Sequence, residues 1–122
     1  MIHILYVDDE PDIREVALMA LGLDPEFEVT GCASGVEAVQ ALISSTPDLI
    51  LLDVMMPGMD GPATLREIRS HQAGADVPIV FITARTQQAE VDGLIALGAA
   101  GVIAKPFDPM TLAARVREHL QP

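Results

Sequence analysis

A single carboxylate, Asp53, stands near the end of the apolar run 49–54, directly before the turn-forming segment 55–61. A continuous apolar run that ends at a Pro-Gly turn indicates a strand buried on both faces, as in a parallel sheet. Asp53 would then lie at the carboxyl end of that strand, where ligands bind in open α/β sheets. Because a buried acid is costly without a partner, the pattern favours a functional carboxylate over a simple turn residue.

Four more polar side chains follow apolar segments in the same way. Asp8 and Asp9 come after residues 2–7, Thr83 ends the segment 78–83, and Lys105 follows residues 101–104. Taken singly, the acids could be favourable charges at a helix N-terminus, the threonine a strand-end hydroxyl and the lysine a solvated loop charge. Their shared position at strand ends instead predicts one pocket that contains all five groups.

Three carboxylates in one pocket repel one another, which raises their pKa values unless a cation neutralises them. Oxygen ligands with room for water and a phosphate favour octahedral Mg²⁺, or Mn²⁺ in its place, over a closed Ca²⁺ cage. No set of cysteines and histidines has the composition of a zinc site. We therefore expect a magnesium site formed by carboxylates.

A carboxylate beside Mg²⁺, with a hydroxyl and an ammonium across from it, suits phosphoryl transfer onto the carboxylate. The cation and Lys105 would neutralise the phosphoryl oxygens while Asp53 attacks in line. The product would be an aspartyl phosphate, which hydrolyses readily. Such a temporary modification indicates signalling.

The elements that position these groups follow from the apolar periodicity. We predict strands at 2–7, 27–33, 49–54, 78–83 and 101–104, separated by helices at 11–22, after Ser34, from Gly61 and at 86–97. A last helix is predicted to begin with Asp108 as N-cap and Pro109 as its first residue. For the second helix, the pattern assigns Val36, Val39, Leu42 and Ile43 to the inward face.

This alternation predicts an α/β fold, a doubly wound five-stranded parallel sheet with helices on both faces. We expect the flavodoxin-like strand order 2-1-3-4-5, in which strands one and three are neighbours. That order places Asp8 and Asp9 beside Asp53.

Composition restricts the class of protein further. The 122 residues fit one domain, 1–122, and the single cysteine excludes an internal disulfide, as suits a reducing cytoplasm. No apolar run approaches the ~18 residues that span a bilayer, so no membrane association is expected. A formal net charge of −11 disfavours direct binding of nucleic acid.

Four motifs in this order point to a family: residues 6–11 (Tyr-Val-Asp-Asp-Glu-Pro), residues 48–61, Ile82-Thr83-Ala84 and Lys105-Pro106-Phe107. With them, the chain resembles the receiver domains of two-component response regulators over essentially its whole length. The resemblance implies a phosphoacceptor rather than an enzyme, with self-catalysed phosphorylation and slow autodephosphorylation. It also implies a cytoplasmic protein in a two-component system or phosphorelay.

The resemblance assigns a role to each site residue. Asp53 would accept the phosphoryl group from a histidine kinase or a histidine phosphotransfer protein, Thr83 would hydrogen-bond a phosphoryl oxygen, and Lys105 would pair with its charge. Asp9, Asp53 and the Met55 carbonyl would ligate Mg²⁺, and Asp8 would act mainly through bound water. A cis bond between Lys105 and Pro106 is implied as well.

The resemblance also implies how the signal leaves the site. An unidentified downstream protein would bind the face formed by helix four, strand five and helix five. The family often places Tyr or Phe three residues before the lysine, and here that residue is Val102. Without a ring to turn inward, the shift of Thr83 and the loop after strand four remain as routes for the switch.

Two other functions share parts of this pattern. A phosphohydrolase that forms its own aspartyl phosphate needs a second acid two residues after the nucleophile, and here that residue is Met55. A flavin-binding flavodoxin-like protein needs a phosphate loop rich in Ser, Thr and Gly, whereas Asp8, Asp9 and Glu10 would repel a phosphate. Both remain as alternatives at this point.

Overall fold

In the computed structural model, which describes residues 1–120, five strands alternate with five helices. The elements are β1 Ile2–Val7, α1 Pro11–Leu21, β2 Phe27–Cys32, α2 Gly35–Ser44, β3 Leu49–Asp53, α3 Gly61–Ser70, β4 Ile79–Thr83, α4 Gln88–Ala96, β5 Gly101–Ala104 and α5 Leu112–Arg117. A 3-10 turn at Gln72–Gly74 follows α3. Within residues 1–120 no helix has the length and apolarity needed to cross a membrane.

The strands form one parallel sheet in the order β2-β1-β3-β4-β5, which confirms the predicted doubly wound fold. Val7 of β1 is paired with Leu52 of β3, so the next residues, Asp8 and Asp53, are neighbours at the carboxyl edge. On the other side of β3, Asp53 is paired with Ile82. The register therefore brings the ends of β1, β3 and β4 together.

Helices cover both faces of the sheet, and each face has its own apolar core. One core packs the sheet against α2, α3 and α4, with Leu42, Leu65 and Ile68 buried in it. The other packs it against α1 and α5, with Leu21 and Val116 buried. All residues of β3 and β4 are buried, which explains why these strands read as unbroken apolar runs.

Two helices, α2 and α3, begin with a side-chain N-cap. The Ser34 hydroxyl accepts a hydrogen bond from the Glu37 N–H at 3.1 Å, and the Glu37 carboxylate accepts one from the Ala33 N–H at 3.3 Å. For α3, the Asp60 carboxylate accepts from the Ala63 N–H at 2.9 Å, and Pro62 lies in the first turn. The peptide bond between Lys105 and Pro106 is cis, as expected.

The predicted start of the last helix is wrong. α5 begins at Leu112, with Thr111 as N-cap, and not after Asp108. The Asp108 carboxylate accepts a hydrogen bond from the Met110 N–H at 2.9 Å and the Asp108 carbonyl accepts one from the Thr111 N–H, so Asp108 starts a turn instead. This local bonding by an aspartate competes with helix formation.

The predicted inward face of α2 is also partly wrong. Val36 and Ile43 are 57% and 61% exposed, while Ala38 and Leu42 are fully buried. Ala38 and Leu42 are four residues apart and share one face, and the small alanine lets α2 approach the sheet. The size of the apolar side chains alone therefore did not identify which face of α2 packs against the sheet.

The first residue of α3, Gly61, lies against the backbone of Asp53 and Val54. A Cβ atom on Gly61 would lie 2.6 Å from the Asp53 carbonyl oxygen and 2.8 Å from the Val54 Cα. The Gly61 N–H also donates to the Val54 carbonyl at 2.9 Å, which closes the loop after β3. Only a residue without a side chain fits this approach.

We predict that Gly61→Ala lowers the free energy of unfolding by about 1 to 3 kcal/mol, because the backbone around Asp53 must move. The matched variant is Gly93→Ala in α4, where an added Cβ would meet nothing within 4 Å. It should stabilise the protein by about 0.5 to 1 kcal/mol, as Gly to Ala does inside a helix. Urea unfolding measures both changes, and a neutral Gly61→Ala would contradict the close approach.

Candidate functional site

An ammonium lies between two carboxylates at the carboxyl edge of the sheet. The Lys105 Nζ is 3.4 Å from the Asp53 Oδ2 and 3.3 Å from the Asp8 Oδ2, and the Glu10 carboxylate is 3.7 Å away. Asp8 is fully buried and Asp53 is 3% exposed. Lys105 reaches them from the loop after β5, so three strand ends contribute to this contact.

Asp8 is held by donors that the sequence analysis did not assign. The Tyr6 hydroxyl donates to the Asp8 Oδ2 at 3.0 Å, and the Glu10 N–H donates to the Asp8 Oδ1 at 3.0 Å. The Arg14 guanidinium donates to the Asp8 carbonyl at 2.7 Å. The sequence does contain a signal for this contact. Tyr6 and Asp8 are two residues apart, so their side chains share a face of the strand, and a buried tyrosine hydroxyl needs a hydrogen-bond partner.

The three acids of the site form a cluster of oxygen ligands. Asp8, Asp9 and Asp53 each offer one carboxylate oxygen, and these atoms all lie within 4.8 Å of one another. A donor set made only of oxygen fits a hard divalent cation such as Mg²⁺. The predicted acids therefore come together in a geometry that could hold the ion.

Burial shifts the pKa values of the ionisable side chains in the site. Burial and the neighbouring Asp8 charge raise the pKa of Asp53 to about 6, although Lys105 and the Met55 backbone oppose the shift. Burial lowers the pKa of Lys105, but the Asp53 and Asp8 carboxylates outweigh it and hold that pKa above its ordinary value. Burial, followed by the Asp8 charge, also raises the pKa of the Tyr6 phenol, so this hydroxyl stays protonated.

Thr83 ends β4 and is 3% exposed. Its hydroxyl oxygen accepts a hydrogen bond from the Arg85 N–H at 3.0 Å, so the hydroxyl hydrogen is left to be donated to a ligand. A cavity of about 430 Å³ opens in front of these groups and is lined by Glu10, Ile13, Asp53, Met55, Thr83, Ala84, Lys105 and Pro106. A phosphoryl group in this cavity could contact Asp53, Thr83 and Lys105 together.

Comparison with known proteins decides the family. The family model described as the response regulator receiver domain matches residues 4–117. The chain belongs to this family. It is a receiver domain of two-component response regulators, and the family is one of signalling proteins, which removes support from the phosphohydrolase and flavin alternatives.

Relatives agree with this assignment. The receiver domain is 38% identical over 119 residues to the transcriptional regulatory protein CseB of Streptomyces avermitilis. The aligned region covers 98% of this chain and 49% of that protein. It is 41% identical over 118 residues to the transcriptional regulatory protein YvrH of Bacillus subtilis, covering 97% of this chain and 48% of that protein. The chain spans about half the length of these curated relatives.

A solved structure has the same fold along nearly the whole chain. The chemotaxis protein CheY4 of Vibrio cholerae superimposes with a TM-score of 0.90 at 32% identity, covering 98% of this chain and 99% of that chain. The receiver fold, with its strand order, is therefore shared over the full set of elements described above.

We predict that Asp53→Asn stabilises the cation-free receiver domain above pH 7. An acid whose pKa is raised on folding favours the folded state at low pH, and that stability is lost as the pH rises through about 6. The gap in unfolding free energy between Asp53→Asn and wild type should therefore grow by about 2 kcal/mol between pH 4.5 and pH 7.5.

Denaturant unfolding at the two pH values measures this gap. Adding Mg²⁺ at pH 7.5 should narrow it, because a cation in the acid cluster would compensate the Asp53 charge of the wild type. A gap that does not change with pH would show that Asp53 is not destabilised by its surroundings.

Proposed function

We propose that this receiver domain accepts a phosphoryl group on Asp53 from a phosphohistidine donor. The observation that carries the proposal is the placement of the Asp53 carboxylate 3.4 Å from the Lys105 ammonium, at the wall of an open cavity. A nearly buried acid is costly, and here it has a cationic partner that can also bind a phosphate.

The transfer exchanges one bond to phosphorus for another. A carboxylate oxygen of Asp53 attacks the phosphorus atom, the bond between phosphorus and the donor imidazole nitrogen breaks, and the imidazole leaves with the electron pair of that bond. Deprotonated Asp53 is the nucleophile, and above pH 6 this is its main form. Positioning and charge neutralisation supply most of the catalysis in such transfers.

Lys105 and Thr83 bind the oxygens of the phosphoryl group in this mechanism. Lys105 already lies beside Asp53, so a small rotation of its side chain brings the ammonium next to the negatively charged phosphoryl group. The Thr83 hydroxyl keeps its hydrogen bond from the Arg85 N–H and donates its own hydrogen to a phosphoryl oxygen. Both contacts strengthen as negative charge gathers on the phosphoryl group.

Asp9, Asp53 and the Met55 carbonyl are the residues that we assign to Mg²⁺, or to Mn²⁺ in its place, with Asp8 contributing through bound water. The closeness of the three carboxylates supports this assignment. When bound, the cation would neutralise negative charge on the phosphoryl oxygens. Asp8 already accepts three hydrogen bonds, which favours the water-mediated role.

A groove next to the site supports a protein as the donor. Its volume is about 260 Å³, and its lining is mostly apolar: Asp12, Ile13, Val16, Lys105, Pro106, Phe107 and Pro109. Because Lys105 belongs to both this groove and the phosphoryl cavity, a donor seated in the groove would hold its histidine near Asp53. A histidine kinase or a histidine phosphotransfer protein fits this role.

The output in this proposal passes from Thr83 to the face formed by α4, β5 and α5. A second cavity of about 290 Å³ lies between the loop after β4 and α4, and Thr83, Gly93 and Leu94 are among its lining residues. It gives the loop room to follow Thr83 toward a phosphoryl group. Val102 is packed against the core and has neither ring nor hydroxyl, so Thr83 and Lys105 carry the change.

The partner on that face is a protein in this proposal. The net charge of −11 opposes direct contact of this chain with nucleic acid, although the names of several relatives describe transcriptional regulators. We assign residues 1–122 to one receiver domain that acts in the cytoplasm, where histidine kinases deliver phosphoryl groups.

We predict that acetyl phosphate with Mg²⁺ adds one phosphoryl group to the protein, because the small donor can enter the open cavity. Asp53→Asn should abolish the addition, and Lys105→Ala should slow it by at least about tenfold through loss of charge stabilisation. Intact-mass measurement follows the reaction. Asp60→Asn is the matched control, because it removes an exposed acid that caps α3 outside the cavity. Undiminished labelling of Asp53→Asn would contradict the assignment.

We predict a long lifetime for the phosphorylated protein. Met55 and Arg85 occupy the positions two residues after Asp53 and Thr83, and neither can act as a base toward water. Met55 is among the residues that line the cavity. Met55→Asn should shorten the half-life severalfold, because it opens the approach to water, while Met55→Leu should leave it nearly unchanged. A half-life that Met55→Asn leaves unchanged or lengthens would refute shielding by this side chain.

A further inference from the structure

The Tyr6 hydroxyl is a buried polar group next to the site that the proposed mechanism does not use. Tyr6 is fully buried in β1, among apolar side chains of the core that packs against α1 and α5. Its hydroxyl donates to the Asp8 Oδ2 at 3.0 Å. It is the only tyrosine of the chain, which has no tryptophan.

We propose that Tyr6 is a positioning residue of the cation site: its hydroxyl holds Asp8 in the orientation that serves the divalent cation. The proposal rests on the proposed function, since it assigns Asp8 to a cation-bound water. Tyr6 touches neither the cation nor the phosphoryl group in this scheme and acts only through the Asp8 carboxylate.

The hydrogen bonds of Asp8 show how Tyr6 constrains the orientation of the Asp8 carboxylate. Oδ1 accepts from the Glu10 N–H, and Oδ2 accepts from both the Tyr6 hydroxyl and the Lys105 ammonium. A carboxylate offers about four lone-pair positions, so roughly one position, on Oδ1, is left for a water. The three donors therefore set both the rotation of the carboxylate and the direction in which it can serve the cation.

Lys105 cannot hold Asp8 through the whole reaction. The same ammonium lies 3.4 Å from the Asp53 Oδ2, and it turns to the phosphoryl group once Asp53 carries one. The Asp8 Oδ2 then keeps only the Tyr6 hydroxyl as a donor, because no other side chain within residues 1–120 donates to it. A buried carboxylate oxygen without any donor would be costly, so Tyr6 matters most when Lys105 has moved.

Tyr6→Phe removes the hydroxyl and keeps the ring in the core. We expect the variant to bind Mg²⁺ about tenfold more weakly than wild type, at the low end of the losses seen when hydrogen-bond partners around a metal site are removed, because Tyr6 acts through Asp8 and its bound water. Isothermal calorimetry of the whole chain with Mg²⁺ alone measures the dissociation constant. Ile103→Val is the matched control, because Ile103 is buried in the same core without a polar contact, and its dissociation constant should stay within about twofold of wild type.

The Asp8→Asn background separates positioning from general loosening of the core. If Tyr6 acts through the Asp8 charge, Tyr6→Phe should weaken Mg²⁺ binding far less in Asp8→Asn than in wild type. An equal loss in both backgrounds, or a Tyr6→Phe affinity equal to that of wild type, would overturn the proposal. Absence of Mg²⁺ binding by wild type would instead refute the cation site of the proposed function, and the role of Tyr6 with it.

Tyrosine emission gives a readout in the wild type that does not depend on a substitution at Tyr6. Excitation in the tyrosine band, where phenylalanine absorbs little, yields emission from Tyr6 alone, because the chain has one tyrosine and no tryptophan. The emission of a phenol depends on how strongly a neighbouring carboxylate accepts its hydrogen bond, which a divalent cation beside Asp8 would change. Mg²⁺ should therefore change the emission of wild type with the same midpoint as calorimetry, and the change should be lost in Asp8→Asn. Emission that stays constant while calorimetry shows Mg²⁺ binding to wild type would overturn the proposal.

Discussion

Repulsion among carboxylates at one edge of the sheet is the constraint on which the rest of the structure depends. Asp8, Asp9 and Asp53 place an oxygen each within 4.8 Å of one another. In residues 1–120, Lys105 is the cation that forms ion pairs with this cluster, through Asp8 and Asp53. One ammonium cannot neutralise three acids, so the pocket could hold a further cation. Burial, followed by the Asp8 charge, raises the pKa of Asp53, because both disfavour its ionised form.

The fold supplies the stability that this cluster costs. Strands buried on both faces hold the backbone of Asp53 and Thr83 rigidly, and the β1–β3 pairing fixes the spacing between Asp8 and Asp53. Gly61 lets α3 pack directly against the end of β3 that carries Asp53. Strand register thus sets the positions of Asp8, Asp53 and Thr83, and Lys105 joins them from the loop after β5. This arrangement suits a reaction that depends on positioning.

Much of the fold and of the candidate site can be predicted, because strong local patterns in the sequence determine them. Four strands were visible as apolar runs and the second as a weaker one. The alternation of strands and helices predicted a parallel sheet, and the natural order 2-1-3-4-5 placed the acids, Thr83 and Lys105 at one edge. The start of α5 was missed because Asp108 bonds its own turn, a choice that local composition does not reveal. The exposure of Val36 and Ile43 was missed because α2 packs through Ala38 and Leu42. The hydrogen bond from Tyr6 to Asp8 needed the three-dimensional placement of both side chains.

The most direct test of the account is to locate the phosphoryl group after transfer from a phosphorylated histidine donor. Reduction of the acyl phosphate with borohydride converts the modified aspartate into homoserine, and tandem mass spectrometry then identifies the residue. We expect homoserine at position 53 alone, because Asp53 is the acid that both contacts Lys105 and lines the open cavity. Homoserine at position 8, 9 or 60, or none after confirmed transfer, would contradict the claim that Asp53 is the acceptor.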